Sequence, residues 1–466
     1  MSGSIWMPPG SRTDTLPAIP RQRTAPSWAH PDPVDELAAR LGDFIAAAVH
    51  PDEIAALLES DGLSDDQIRE RYGVKNSFAL AEELYERVER RHPEPPGPVH
   101  DPWRTGLLGC LLRGVVFALP GLAYILGAPF LKGTLPLLAG VLTGWTWNQA
   151  LAHRAYSWLS LGDRHAARRC LLLGAPAGAL LGALVALTVG GNTLTTVAFA
   201  AAQSVYLGAA TALLVMGRER ALLMALLPMA AGAVLALSHP LPNAARLTLL
   251  LVSLAVAALL GLREAAPRKG RGERRDKPQR TRSRQPTTAP RLLGSLPYAL
   301  FGLGAGALVL HAALGEPRSA VALTLSMGPA EWLLHRFRSA GLSGLRTSST
   351  PRAFWQTTAI TLIKCLTAYL AALFALALCL GSGVDRTHLT GLLLLGTVLW
   401  TGLLLQSFGA VLAAAAVCCA AGLAQTIALA THTGAPHLVG LIVYGAAAAI
   451  QAALVCALSG RATAHR

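Results

Sequence analysis

Three ionisable side chains, Arg113, Glu331 and Lys364, lie inside otherwise apolar stretches of this chain. A charge in hydrocarbon is costly, so such groups face a bundle interior or a hydrated cavity and mark paths for ions or substrates. The plainer alternatives are a side chain snorkelling to the interface or a structural ion pair. Arg113 stands nine residues beyond Arg104, about 13 Å along a helix at ~1.5 Å per residue. Lys364 is ten residues past Phe354, near the middle of its run, and Glu331 is the only acid well inside any run. Two fixed positive charges and one negative in a cavity would favour an anionic substrate group, such as a phosphate, pyrophosphate or uronic acid. Glu331 is expected to pair with Lys364 in one state and release it in another, a coupling switch for H⁺ or Na⁺.

A second group is Trp145, Trp147, Asn148 and Gln149, in the second apolar run. Trp147, Asn148 and Gln149 are candidate cavity-lining residues; the competing roles are interfacial anchoring and interhelix hydrogen bonding. Gln203, Tyr206, Gln425, Tyr444 and Gln451 are candidates for the same lining or for helix packing. His153 and Arg154 sit in Leu151-Ala-His-Arg-Ala-Tyr-Ser157, and His335 and Arg336 in Leu333-Leu-His-Arg-Phe-Arg-Ser339. LxHRxxS thus recurs 182 residues apart, with Leu119-Pro120 and Leu296-Pro297 in the preceding runs. In that register Gln149 corresponds to Glu331, each four residues before its histidine and on the same helix face. Both histidines are expected to end helices at the interface and not to bind metal.

The elements that must position these residues are long apolar helices. Hydrophobic residues are 53% and charged residues 14% of 466, proportions of a multi-span membrane protein and not of a soluble enzyme. Spans are expected at about 105–127, 134–153, 168–189, 193–216, 220–237, 246–263, 292–314, 319–337, 354–381, 388–406, 408–431 and 437–459, each near the ~17–25 residues a bilayer requires. The expected fold class is an all-α polytopic membrane protein of about 12 transmembrane helices. They form two six-helix bundles, 105–264 and 292–460, related as parallel repeats. A small helical domain precedes them.

Charge divides the chain in the same way. Residues 31–92 hold 15 acidic and seven basic residues, while the remainder holds 11 acidic and 33 basic. Residues 1–31, rich in Pro, Ser, Thr and Arg, read as a disordered cytoplasmic tail without a cleavable signal. Residues 32–92 read as an acidic helical cytoplasmic domain. Its expected helices are Val34–Val49, one opened by Pro51, one capped by Ser64 and Gln67 and stopped by Gly73, and one capped by Asn76 or Ser77. Residues 93–104 form a proline-rich linker, 265–291 a basic cytoplasmic linker and 461–466 a cytoplasmic tail. Loops after even-numbered spans collect most Arg and Lys, so both termini are expected in the cytoplasm of a cell (plasma) membrane protein. The same rule accounts for the positive charge without a nucleic-acid partner. The seven cysteines make no CxxC pair and no spaced His/Cys set, so no metal, disulfide framework or cofactor is expected.

The segment Trp158-Leu-Ser-Leu-Gly162-Asp163-Arg164-His-Ala-Ala-Arg168-Arg169-Cys-Leu-Leu, with the 6+6 layout and basic middle linker, resembles the multidrug/oligosaccharidyl-lipid/polysaccharide (MOP) exporter superfamily. The likeness is to the second-to-third-span connection of its polysaccharide and lipid-linked flippases. Gly162 lets the chain turn and Asp163 can cap the next helix. The resemblance implies alternating access by two rocking bundles, no catalysis, and an anionic lipid-linked glycan or polysaccharide as substrate. Residues 32–92 carry no assignable motif; they read as a regulatory or stabilising appendage or, more sharply, as a dock for a cytoplasmic glycosyltransferase. Two other readings stay open. Asp163-Arg164-His-Ala-Ala-Arg168-Arg169 also approaches the G-x-x-x-D-R-x-G-R-R loop of major facilitator transporters, but has one residue too many and lacks both glycines. A non-transporting scaffold of a polysaccharide synthesis complex is the third. A membrane glycosyltransferase would need an acidic loop site, and Asp and Glu are nearly absent from these loops.

Overall fold

The computed structural model describes residues 32–89, 91, 101, 103, 105–131, 133–190, 194–266, 289–348, 350–381 and 386–460. The expected N-terminal tail, most of the proline-rich and basic linkers, and the C-terminal tail lie outside the described residues. All described regular structure is helical. The chain divides into two compact units, Met1–His100 and Asp101–Arg466.

Five helices make up the described part of the first unit: α1 (Pro33–Arg40), α2 (Gly42–Ala47), α3 (Pro51–Ser60), α4 (Asp65–Tyr72) and α5 (Ser77–Arg87). The single helix expected over Val34–Val49 breaks at Leu41, because Gly42 propagates a helix poorly. Side-chain caps set the other starts. Asp32 accepts from the Val34 amide at 3.0 Å and Asn76 from Ala79 at 2.9 Å. Ser64 and Gln67 complete a reciprocal capping box. Gly73, at φ 71°, takes the left-handed turn that ends α4. Ile45, Ile54, Leu58, Ile68, Leu80 and Leu84 form a fully buried core. Arg87 ties the end of α5 to the start of α1 through Asp32 at 2.9 Å and Asp35 at 2.5 Å, and also binds Glu83 at 2.6 Å.

The Arg87 guanidinium, then the Val34 amide, hold the Asp32 carboxyl below its ordinary value. The fold therefore gains from this contact above the unfolded value of 3.8 and loses it as pH falls through the lower folded value. Hydrogen exchange on the full chain should show α1 protection losing this contribution only at acid pH. Arg87→Gln should lower α1 protection roughly two- to fivefold at neutral pH and flatten that acid step. A step that persists in the variant would show that another group causes it.

The second unit contains twelve long helical segments among the described residues. The first is broken: α6 (Leu107–Ala118) and α7 (Ala123–Gly127) are separated by a 3₁₀ turn at Leu119–Leu122, and a second turn, Ala128–Phe130, follows. Pro120 and Pro129 remove the amides that would continue the helix. Then come α8 (Leu135–Ser160), α9 (Arg164–Gly190), α10 (Leu194–Val215), α11 (Glu219–Ser238) and α12 (Asn243–Ala265). After the linker follow α13 (Leu296–Gly315), α14 (Pro317–Thr347), α15 (Pro351–Cys379), α16 (Arg386–Ser407), α17 (Val411–Ala430) and α18 (Pro436–Ser459).

Ten of these segments are long and apolar enough to cross a membrane. The molecule is thus an all-helical, multi-pass membrane protein. The two that fall short of the expected twelve are α8 and α14. They are the helices that carry Asn148, Gln149 and His153, and Glu331, His335 and Arg338. Both also outrun their expected ends at 153 and 337, so LxHRxxS lies inside each helix and His153 and His335 do not end them. Loss of apolarity marks where the bilayer thins out, whereas a helix continues to the first breaker. Those breakers are the Gly162-Asp163 turn, with Gly162 at φ 78°, and the segment before Pro351.

Within the first six segments α8, α9 and α10 pack together, and α12 packs on α10 and α11. In the last six, α13 packs on α17, α14 on α15, and α16 on α18. The main contacts between the two sets are α6 on α14 and α8 on α13. The α6/α14 crossing brings backbone to backbone. A Cβ on Gly114 would stand 2.9 Å from the Gly328 nitrogen, and one on Gly328 would stand 2.8 Å from the Cys110 oxygen. Small residues permit such approach where apolar lipid offers no hydrophobic drive to associate.

Gly328→Val should cost about 1–3 kcal/mol through overpacking against a backbone that cannot yield. The thermal midpoint of the purified protein in detergent should fall accordingly. Gly109→Val is the control, since a Cβ there meets nothing within 4 Å. Equal melting of the two variants would mean that the crossing adjusts freely.

Candidate functional site

Successive helices reverse direction, so the start of α6, the start of α11 and the later halves of α8 and α14 fall at one end of the bundle. Contacts at that end agree: Asp101 accepts from Ser339, Arg154 donates to the Pro290 carbonyl at 3.2 Å, and the Trp103 ring lies 4.8 Å from the Arg338 guanidinium. Most described arginines are there, including Arg154, Arg164, Arg168, Arg169, Arg218, Arg220, Arg336 and Arg338. The opposite end has Arg246, Arg318 and Arg386. Two of those three bond to backbone carbonyls: Arg246 to Leu241 and Ile125, both at 3.1 Å, and Arg318 to Gly381 at 3.4 Å.

The central cluster is built on Arg113. Its Nε donates to Glu219 at the first residue of α11, and its Nη1 donates to Glu331 on α14. One guanidinium thereby joins a helix of the first set to another of that set and to one of the second. Tyr156, Cys110 and His335 lie within electrostatic reach of it. The His335 ring stands 5.8 Å from Trp103, and its Nδ1 is buried without a hydrogen-bond partner among the described residues.

This geometry corrects two expectations. The partner of Glu331 is Arg113, not Lys364. Lys364 is exposed on α15 and makes no ion pair among the described residues. The cluster also carries two carboxylates against one guanidinium, a net single negative charge, and not a cationic cavity. Glu219 escapes a sequence reading because it stands between Arg218 and Arg220 in what looks like a basic loop. Its position beside the start of a span was the available signal.

The companion crossing, α8 on α13, has no charge pair among the described residues. A Cβ on Gly302 would meet the Gln149 Cγ at 2.8 Å and the Thr146 Cα at 3.5 Å. Thr146 and Gly328 correspond in the LxHRxxS register, as Gln149 and Glu331 do. His153 bonds to Ser295 Oγ at 3.0 Å and stacks on Tyr298 at 3.8 Å.

Other candidates lie elsewhere. Trp147 donates its indole N–H to the Gly174 carbonyl at 2.8 Å and covers Gly178, so it packs α8 on α9 and does not face the other set. Asn148 is buried and donates to its own helix at Gly144, 2.8 Å away. Arg336 lies over the Trp332 ring at 5.3 Å. Asp163 caps α9 through the Ala166 amide at 2.8 Å. Gln203 and Tyr206 line an apolar cavity of about 310 Å³ between the first segment, α10, α11 and α12. Gln451 instead bonds to Thr401 at 2.8 Å, and Gln425 faces Gly440 and Tyr444, both within the last six helices. These residues therefore do not share one lining. Among the described residues no group of His, Cys, Asp or Glu is arranged to hold a metal.

Comparison with known proteins adds no relative: no family model, curated protein or solved structure matches the chain.

Arg113→Gln should leave two carboxylates facing each other and destabilise the protein more than Arg113→Gln/Glu331→Gln together. Thermal or denaturant melts of the four-member cycle should give a coupling of about 0.5–3 kcal/mol. Additive effects would show that the cluster does not hold the helices together.

Proposed function

We propose that this protein is a membrane transporter whose two six-helix halves rock against each other, an exporter or flippase of the MOP type acting on a lipid-linked glycan or polysaccharide. The observation that carries the transporter reading is the pair of crossings between the halves. Each uses the first segment of one half and the second of the other: Gly114 with Gly328, and Gly302 with Thr146, of which Thr146 and Gly328 correspond in the LxHRxxS register. Two bundles joined through equivalent helices about an axis along the membrane normal are the layout of a parallel-repeat transporter. The substrate class rests on the resemblance over Trp158–Arg169. The gathering of arginines at one end supports reading that end, with the cluster and both termini, as the cytoplasmic side of a plasma membrane.

Arg113 is the latch between halves. Its two carboxylates exceed its charge, so a proton or cation that takes Glu331 frees the guanidinium from α14 while Glu219 still pairs it. Glu331 is the coupling residue because its pairing crosses between the halves, whereas Glu219 holds Arg113 within one half. No step in this scheme is catalytic, and the acidic N-terminal unit would serve to dock a cytoplasmic glycosyltransferase.

Deleting the gene should remove one surface glycan and leave its lipid-linked precursor inside the cell. Complementation with Glu331→Gln at normal protein levels should lower export about tenfold, a change worth ~1.4 kcal/mol on a barrier. Its residual export should no longer follow the proton or sodium gradient. Loss of glycan on deletion but full rescue by both Glu331→Gln and Arg113→Gln would favour a scaffold. An unaltered glycan profile on deletion would favour a small-solute transporter.

A further inference from the structure

A second polar site lies wholly within the first six helices, apart from the crossings. The first turn of α9, the turn between α10 and α11, and the last turn of α12 enclose a pocket of about 300 Å³. Its lining is Arg164, Arg168, Met216, Gly217, Arg218 and Glu264. Three guanidiniums thus face one carboxylate. That carboxylate is already engaged, with Arg218 Nε 3.3 Å from Glu264 Oε1. Neither nearby acid supplies the missing charge. Asp163 caps the α9 amides, and Glu219 binds Arg113. The Arg168 Nε is buried and has no hydrogen-bond partner among the described residues. A buried donor left without an acceptor is destabilising unless a ligand supplies one. The backbone holds the site open: Gly217, at φ 71°, turns the chain between α10 and α11, and the Arg218 amide closes that turn on the Leu213 carbonyl at 2.8 Å.

We infer that this pocket binds a phosphate-bearing anion, with Arg164 and Arg168 as its principal donors and Arg218 shared between the ligand and Glu264. The planar fork of arginine matches phosphate oxygens in pairs, which a lysine cannot do. A net charge of two positives suits a phosphate of one or two negative charges. The pocket is at the end of the bundle that carries most of the arginines, where the phosphate of an anionic lipid headgroup and a free phosphate or pyrophosphate both have access. The inference does not depend on the transport reading.

The test uses the purified full chain in phosphatidylcholine nanodiscs, with and without phosphatidylglycerol, and with inorganic pyrophosphate added to the lipid-neutral discs. Native mass spectrometry reads lipid retention, and thermal melting reads pyrophosphate binding. Retention of phosphatidylglycerol with no response to pyrophosphate identifies the headgroup as the ligand; a pyrophosphate response in neutral discs identifies the soluble anion. In either case R164Q/R168Q should bind roughly tenfold more weakly. R220Q removes an exposed charge from the adjacent turn without touching the lining and should bind as the natural chain does. E264Q should bind more tightly, a gain that a purely structural carboxylate would not produce. If R164Q/R168Q fails to fold, R168K keeps the charge but loses the paired geometry, and reduced binding by it carries the same conclusion. Binding of neither probe by the natural chain would overturn the inference. So would equal losses in R220Q and R164Q/R168Q, which would reduce the site to general surface charge.

Discussion

The backbone contact of α6 with α14 at Gly114 and Gly328 sets the terms for the rest of the membrane unit. It brings two helices close enough that the neighbouring Arg113 and Glu331 meet across the joint. Water-exposed ion pairs contribute little, but at the edge of a hydrocarbon layer an unpaired charge is costly, so the pair and the crossing support each other. Glu219 at the start of α11 then anchors the same guanidinium to the first half. The other joint, α8 on α13, relies on amide and aromatic contacts at Gln149, His153 and Tyr298. One joint therefore carries a charged cluster and the other does not.

Away from the joints, small residues and internal hydrogen bonding dominate. Trp147 on Gly178, Gly208 on Ala175 and Gly261 on Ala209 let helices approach within the first half. In the second, Gln451 bonds to Thr401, while Trp400 donates to the Ala330 carbonyl at 3.2 Å. Polar groups in lipid find partners inside the bundle because none exist outside it. That is why most of the amides and aromatics that resemble cavity linings in the sequence prove to be packing contacts. The same argument isolates the exceptions. Among them, Lys364 is exposed, and Arg168 Nε and His335 Nδ1 are buried without a hydrogen-bond partner among the described residues.

The positions of the apolar helices were legible because lipid imposes a length and a composition on every span. Local signals were equally direct: Ser64 with Gln67 closes its capping box, Gly73 and Gly162 take left-handed turns, and Asp163 caps α9. These depend on neighbours within a few residues. Helix ends were less legible where a span outran its apolar core, as α8 does to Ser160 and α14 to Thr347. The break at Leu41 in the soluble unit was hidden for the opposite reason, since its apolar spacing runs on through a glycine.

The sequence by itself determined that this is a multi-helix membrane protein preceded by a small acidic helical unit, that two helices carry an LxHRxxS repeat, and which charges must be accommodated among apolar neighbours. Each of these follows from periodicity, composition or local chemistry. Only the tertiary structure decided that Glu331 pairs with Arg113 and not Lys364, that Glu219 shares that arginine, and that Arg164, Arg168 and Arg218 converge around Glu264. Those partners are separated by tens to hundreds of residues. Their meeting is set by which helices cross and how closely, and that is governed by packing between elements whose separate sequences do not name their neighbours.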